Sequence, residues 1–205
     1  MIAIIDYDAG NLKSVEKALN FLGEDTVITR NREEILHADK VILPGVGSFG
    51  DAMHNLREFG LVDVIKEVVD LGKPFLGICL GLQLLFERSE ESPGVEGLGI
   101  LKGEILKIPD SPGLKIPHMG WNSIQIKQGA KLFEGLKEPY VYFVHSYYLK
   151  AADEAIVAAV TEYSTTIHAS VESGNVFACQ FHPEKSSKVG LQILHNFAKI
   201  GKEEL

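Results

Sequence analysis

Lys73-Pro74-Phe75-Leu76-Gly77-Ile78-Cys79-Leu80-Gly81-Leu82-Gln83-Leu84-Leu85-Phe86 joins an apolar strand to a helix, with one cysteine at the corner. Lys73–Ile78 has the length and apolar continuity of a buried strand, and Leu80–Phe86 reads as the helix that follows it. Gly77 and Gly81 stand two residues on either side of Cys79. A sharp strand-to-helix turn needs small residues at such positions, because backbone there crowds backbone.

Upstream, the same alternation repeats. Ala3–Asp6 is a strand run, followed by Leu12, Val15, Ala18, Leu19 and Leu22 at helical spacing, with Gly23 as the stop. Thr26–Ile28 predicts a second strand. Asn31 and Glu34 have capping-box spacing for a short helix over Glu33–His37. Lys40–Leu43 predicts a third strand that ends at Pro44, and helical segments then run to Leu71. This repetition implies a mostly parallel sheet flanked by helices, with ligands beyond the carboxyl ends of the strands. Downstream of Ser92, closely spaced glycines and prolines separate short strand candidates, among them Tyr140–Val144, Ala155–Glu162 and Val176–Phe181. Ser173–Asn175 reads as a hairpin turn, and Ser187–Lys199 as a last helix. The expectation is one α/β domain over residues 1–205, flavodoxin-like, with extra antiparallel strands in its second half.

Bulk properties exclude several classes of function. The 205 residues carry a formal net charge of −8, which argues against a nucleic-acid surface. The apolar runs fall far short of the roughly 20 residues that a membrane helix needs. Met1 leads straight into strand-like Ile2–Ile5, with no basic region or cleavage site of a signal peptide. Two cysteines make no disulfide framework, so a reducing cytoplasm is the expected compartment and leaves a thiol free to act.

A lone cysteine is ordinarily a small core residue. The flanking glycines and the strand–helix junction favour a nucleophile at Cys79, where a helix N-terminus would also favour the thiolate. A thiolate needs a base, and His182-Pro183-Glu184 offers one with an orienting acid. The residue before proline is held extended, so side chains two apart share a face. His145, at the end of a strand, is the rival base, and His118 is a further candidate without a neighbouring carboxylate. No histidines have ligand spacing with acids or thiols, so neither metal nor cofactor is expected. Cys179 reads as core. Gly45-Val46-Gly47-Ser48-Phe49-Gly50 matches a dinucleotide-binding pattern, but it follows the third strand, and Glu67 and Asp70 lie in a helical stretch. A loop whose amides meet an oxyanion fits better, with the Val46 and Leu80 amides as donors.

Together, the G-x-C-x-G elbow and the distant H-P-E resemble the class I, triad-type glutamine amidotransferases. The segments His118-Met119-Gly120-Trp121-Asn122 and Tyr142-Phe143-Val144-His145-Ser146-Tyr147, with Lys185 after the acid, resemble the glutaminase subunits serving imidazole glycerol phosphate synthesis in histidine biosynthesis. The resemblance runs the length of the chain. It implies L-glutamine as substrate, held by Gly47, Gln83, Glu91, Ser146 and Tyr147. Glu91 also reads as a solvated acid of the run Glu87–Glu91. The resemblance further implies a (β/α)8-barrel cyclase as heterodimeric partner, met by the face of Trp121, Tyr142 and Lys185. Ammonia would pass across that interface, and the cyclase's ligand would reshape the Pro44–Gly47 loop. A glutaminase for another acceptor such as pyridoxal phosphate synthesis, a γ-glutamyl hydrolase, or a non-enzymatic regulatory module of the same fold remain alternatives.

Overall fold

In the computed structural model, which describes residues 1–137 and 139–201, the first half alternates strand and helix. Strands β1 (Ile2–Ile5), β2 (Thr26–Thr29), β3 (Lys40–Leu43) and β4 (Phe75–Ile78) are linked by helices α1 (Leu12–Phe21), α2 (Arg32–His37), α3 (Phe49–Glu58) and α4 (Leu61–Asp70). Helix α5 (Leu80–Leu84) leaves the end of β4. The second half adds β5 (Arg88–Ser89), β6 (Gly103–Lys107), β7 (His118–Ser123), β8 (Gln125–Ile126), β9 (Tyr140–His145) and β10 (Tyr147–Ala151). It ends with β11 (Val157–Tyr163), β12 (Thr165–Ser173), β13 (Val176–Cys179) and α6 (Ser187–Lys199).

The main sheet has the order β2-β1-β3-β4-β13-β12-β11-β8. Its first five strands pair in parallel, and the last three add antiparallel. Strands buried on both faces need an apolar layer above and below, and strand pleating divides their side chains between the two. Ala3, Ile5, Val41 and Leu43 face a core shared with α2, α3 and α4. Ile2, Ile4, Ile42, Leu76 and Ile78 face a second core containing Val15 and Leu19 of α1 and Ile193, Leu194 and Phe197 of α6. Two smaller sheets, β10-β6-β5 and β7-β9, lie outside the main one.

Several expected boundaries move. Asn31 does cap α2, accepting from the amides of Glu33 and Glu34. Glu34 does not close the capping box, because its carboxylate takes the Thr29 hydroxyl instead. The strand expected over Ala155–Glu162 starts later, since Asp153 accepts from the Ala155 amide at 2.8 Å and turns Glu154–Ile156 into a 3-10 segment. β12 carried no clear strand signal because its buried stretch includes His168 and Ser170. Both are hydrogen-bonded inside: His168 Nδ1 accepts from the Ala151 amide, and the Ser170 hydroxyl donates to Ala178 O.

The elbow shows why its glycines are required. A Cβ on Gly81 would lie 1.8 Å from Leu43 O, and one on Gly77 would lie 2.7 Å from Gly81 O. The carboxyl ends of β1, β3, β4 and β13 lead directly to Tyr7, Pro44, Cys79 and Gln180–His182, so one edge of the sheet gathers the candidate chemistry.

Candidate active site

Cys79 sits at the corner with φ 54° and ψ −107°, a conformation that an L-residue adopts only where its surroundings enforce it. The enforcement is visible: its amide donates to Cys179 O at 2.8 Å, and its carbonyl accepts from Leu82 and Gln83. The expected helix Leu80–Phe86 is shorter, ending at Leu84. A five-residue helix has a small macrodipole, so nearby side chains matter to the charge at the sulfur.

His182 is the principal such group. It lies beyond β13, where its amide donates to Tyr142 O at 2.9 Å. Its Nδ1 is 2.7 Å from Glu184 Oε1, with both side chains buried. A carboxylate only accepts, so Nδ1 carries the hydrogen and Nε2 is the working nitrogen. Burial pulls the His182 pKa down, but hydrogen bonding and charge from Cys79 and Glu184 outweigh it and lift the value to about 9. The buried Nε2 makes no hydrogen bond of ordinary geometry to any described residue, although the thiol is near enough to move its protonation. We read this as a close, imperfectly aligned contact, as is common before a substrate tightens a catalytic pair. Asn11, which carries no signal of a role in the sequence, donates its side-chain amide to the same Glu184 Oε1.

The rival base is otherwise engaged. His145 Nδ1 lies 2.8 Å from Tyr147 O, which can only accept, so that nitrogen is the donor and Nε2 the acceptor. His118 Nδ1 must then donate to His145 Nε2 at 2.9 Å, leaving His118 Nε2 to accept from Asn122 Nδ2 at 3.3 Å. Burial pushes both rings toward neutrality, His118 to about 4 and His145 to about 3, the latter against a smaller opposing effect of the Tyr147 carbonyl. With both nitrogens occupied, His145 has none left for the thiol. Cys179 is fully buried, and burial, then Glu184 and Cys79, push its thiol well above the ordinary range.

Cys79 opens onto a cavity of about 390 Å³ lined by Val46, Gly47, Leu80, Gln83, Glu91, Pro117, Val144, His145, Ser146 and Tyr147. The five residues expected to hold a substrate are thus brought together with the thiol. Glu91 is half-buried, and its Oε2 accepts from the Phe49 amide at 2.8 Å, which ties the cavity wall to the start of α3. Of the two amides expected at an oxyanion, the Leu80 N–H donates to Gly45 O at 3.3 Å. The loop carrying that carbonyl is itself held: the Tyr7 hydroxyl donates to Pro44 O at 2.8 Å. Tyr7 is buried, and burial, then the nearby Cys79, raise its pKa far above the usual phenol value.

Trp121 and Tyr142 are paired across β7 and β9, with ring centroids 6.3 Å apart and edge to face. Trp121 is 54% exposed, and Met119 and Tyr140 are exposed on the same two strands. Lys185, directly after Glu184, is exposed as well. Among the described residues, no three His, Cys, Asp or Glu side chains are grouped to hold a metal ion. No described helix is long and apolar enough to cross a membrane.

Comparison with known proteins places this geometry in a family. The model of the class-I glutamine amidotransferases matches residues 3–200. A Bacillus cereus protein named imidazole glycerol phosphate synthase subunit HisH is 56% identical, over 98% of this chain and 95% of its own. The Methanocaldococcus jannaschii protein of the same name is 52% identical, over 98% and 100%. Among solved structures, a crystal structure of a glutamine amidotransferase superposes with a TM-score of 0.75 at 21% identity, covering 97% of this chain and 100% of that one. The Thermotoga maritima PurLQS structure gives 0.73 at 22% identity, covering 97% of each. At those identities the structures attest the fold alone.

Proposed function

The chain belongs to the class-I glutamine amidotransferase family, and from that premise we propose that it is the glutaminase subunit of an imidazole glycerol phosphate synthase. It hydrolyses L-glutamine to glutamate and ammonia, and passes the ammonia to a (β/α)8-barrel cyclase subunit in histidine biosynthesis, in the cytoplasm. The relatives' shared name supports the assignment over their whole length. The observation that carries the chemistry is Cys79 on the wall of a cavity sized for an amino acid, with the buried His182–Glu184 pair close to its sulfur. On this reading residues 1–205 act as one glutaminase domain.

His182, its pKa lifted to about 9, takes the proton of the Cys79 thiol. The thiolate attacks the glutamine Cδ, forming a C–S bond while the carbonyl π electrons move to oxygen. Protonated His182 then gives its proton to the departing nitrogen as the C–N bond breaks, releasing ammonia and leaving a γ-glutamyl thioester. Water, deprotonated by His182, attacks the thioester, and glutamate leaves as the thiolate is restored. Glu184 keeps the ring oriented and balances its charge throughout. Gly47, Gln83, Glu91, Ser146 and Tyr147 hold the substrate in this account.

Leu80 N–H is engaged with Gly45 O, so the Pro44–Gly47 loop has to shift before the Val46 and Leu80 amides can both meet an oxyanion. That supports weak activity alone and activation by the partner. Exposed Trp121 and Lys185, with half-buried Tyr142, are the proposed contact face, and Tyr142 O bonded to the His182 amide connects that face to the base. The test is co-purification with the barrel cyclase, followed by glutaminase assay with and without the cyclase's nucleotide ligand. Strong stimulation by both together supports the assignment, and activity indifferent to the cyclase overturns it. Cys79→Ala in the complex removes glutamine-driven but not ammonia-driven synthesis.

A further inference from the structure

Gln180 is fully buried, lies one residue beyond β13, and plays no part in the mechanism above. Its Nε2 is 3.6 Å from Cys79 Sγ and its Oε1 is 3.1 Å from Gln83 Nε2. An amide's nitrogen and oxygen look alike in shape, so the direction of this contact must come from its partners. Those partners settle it. Tyr147 O can only accept, and it lies 3.1 Å from the Gln83 amide nitrogen, which fixes the NH2 group of Gln83 at that end. The second hydrogen of that group meets Gln180, so Gln180 must offer its oxygen there and turn its own NH2 to the sulfur. The opposite orientation would set two buried NH2 groups against each other.

We propose that Gln180 is a further catalytic residue, an N–H donor fixed on the Cys79 sulfur that stabilises and orients the thiolate. The idea rests on Cys79 being the nucleophile. Cys79 is only 7% exposed, so little water solvates a charge on its sulfur. The five-residue α5 adds little field, and His182 approaches from a single nitrogen. A neutral amide donor supplies what solvent does not, without adding a charge that would compete with the imidazolium. The same contact serves both half-reactions, because the thiolate is the nucleophile of the first and the leaving group of the second. Gln83, which lines the substrate cavity, holds this donor in register, and its own position is shared with His145 through Tyr147 O. The chain Asn122–His118–His145–Tyr147 O–Gln83–Gln180–Cys79 therefore runs unbroken from the outer β7–β9 sheet to the sulfur.

The test follows alkylation of Cys79 by iodoacetamide across pH in the full-length protein, with peptide mapping to separate Cys79 from Cys179. Gln180→Met keeps the volume and removes the donor. The midpoint of the alkylation profile should rise by about one pH unit, lowering the rate near neutral pH about tenfold. Gln180→Glu, nearly isosteric, should raise the midpoint further once its carboxyl ionises, and it serves as the reporter if Gln180→Met does not fold. Midpoints equal to wild type in a folded variant would overturn the proposal and reduce Gln180 to a packing residue. Retained glutamine hydrolysis in Cys79→Ala would instead remove the nucleophile, a separate failure that the alkylation profile does not produce.

Discussion

Glu184→Gln isolates the charge of the acid from its shape. Two donors, His182 Nδ1 and the Asn11 amide, share Oε1, whereas Oε2 is buried with no hydrogen-bond partner among the described residues. A glutamine can therefore keep its oxygen toward both donors and place its NH2 group in the unpartnered position. What disappears is the negative charge against a buried ring whose pKa that charge helps to hold at about 9. A hydrogen bond to a charged group contributes about 1.5–3 kcal/mol against about 1 for a neutral one, so the variant loses about 0.5–2 kcal/mol of imidazolium stabilisation. That corresponds to roughly a 2- to 30-fold fall in kcat. Glu184 does not line the cavity, so KM for glutamine should stay within about twofold. Glutaminase kinetics with the cyclase and its ligand saturating measure both constants. Wild-type kcat, or a loss confined to KM, would refute the reasoning.

Asn11→Gly retains the positive φ of 75° while deleting the donor to Glu184, and kcat in the same assay should fall a few-fold, less than for Glu184→Gln. Cys79→Gly should be more stable than Cys79→Ala by about 1–2 kcal/mol, because glycine accepts φ 54°, ψ −107° without a Cβ. Thermal denaturation of the two inactive variants reads this as a Tm difference of about 2–8 °C, and equal Tm values would contradict it. Stability should also depend on pH. The His182 value is raised on folding from 6.5 to about 9, so its contribution is complete below pH 6.5 and is lost as pH rises through 9, about 3 kcal/mol in all. Urea midpoints at pH 6 and pH 9.5 check the sign, and His182→Gln should flatten the difference.

The parallel half was legible because its strands are short, continuous apolar runs separated by helices with clear stops. Gly77 and Gly81 were readable for the same reason that they matter, the close passage of Leu43 O and Gly81 O. β7 and β12 were less legible. Trp121 and Met119 face outward on β7, while His168 and Ser170 are buried on β12, which reverses the alternation that reveals a half-buried strand. In the site, H-P-E spacing exposed the pairing of His182 with Glu184, but nothing local in the sequence tied Asn11 to Glu184 or Gln180 to Cys79. Those contacts span 173 and 101 residues and exist only once the strand ends meet. The sequence favoured His182 over His145 on its neighbouring acid, but it could not show that both His145 ring nitrogens already have partners.

Reaction with a glutamine-like diazo-ketone tests the nucleophile most directly. Peptide mapping should find the adduct on the Cys79 sulfur, with labelling suppressed by excess L-glutamine and lost in Cys79→Ala. An adduct elsewhere, or unabated glutamine turnover in a protein fully modified at Cys79, would contradict the account.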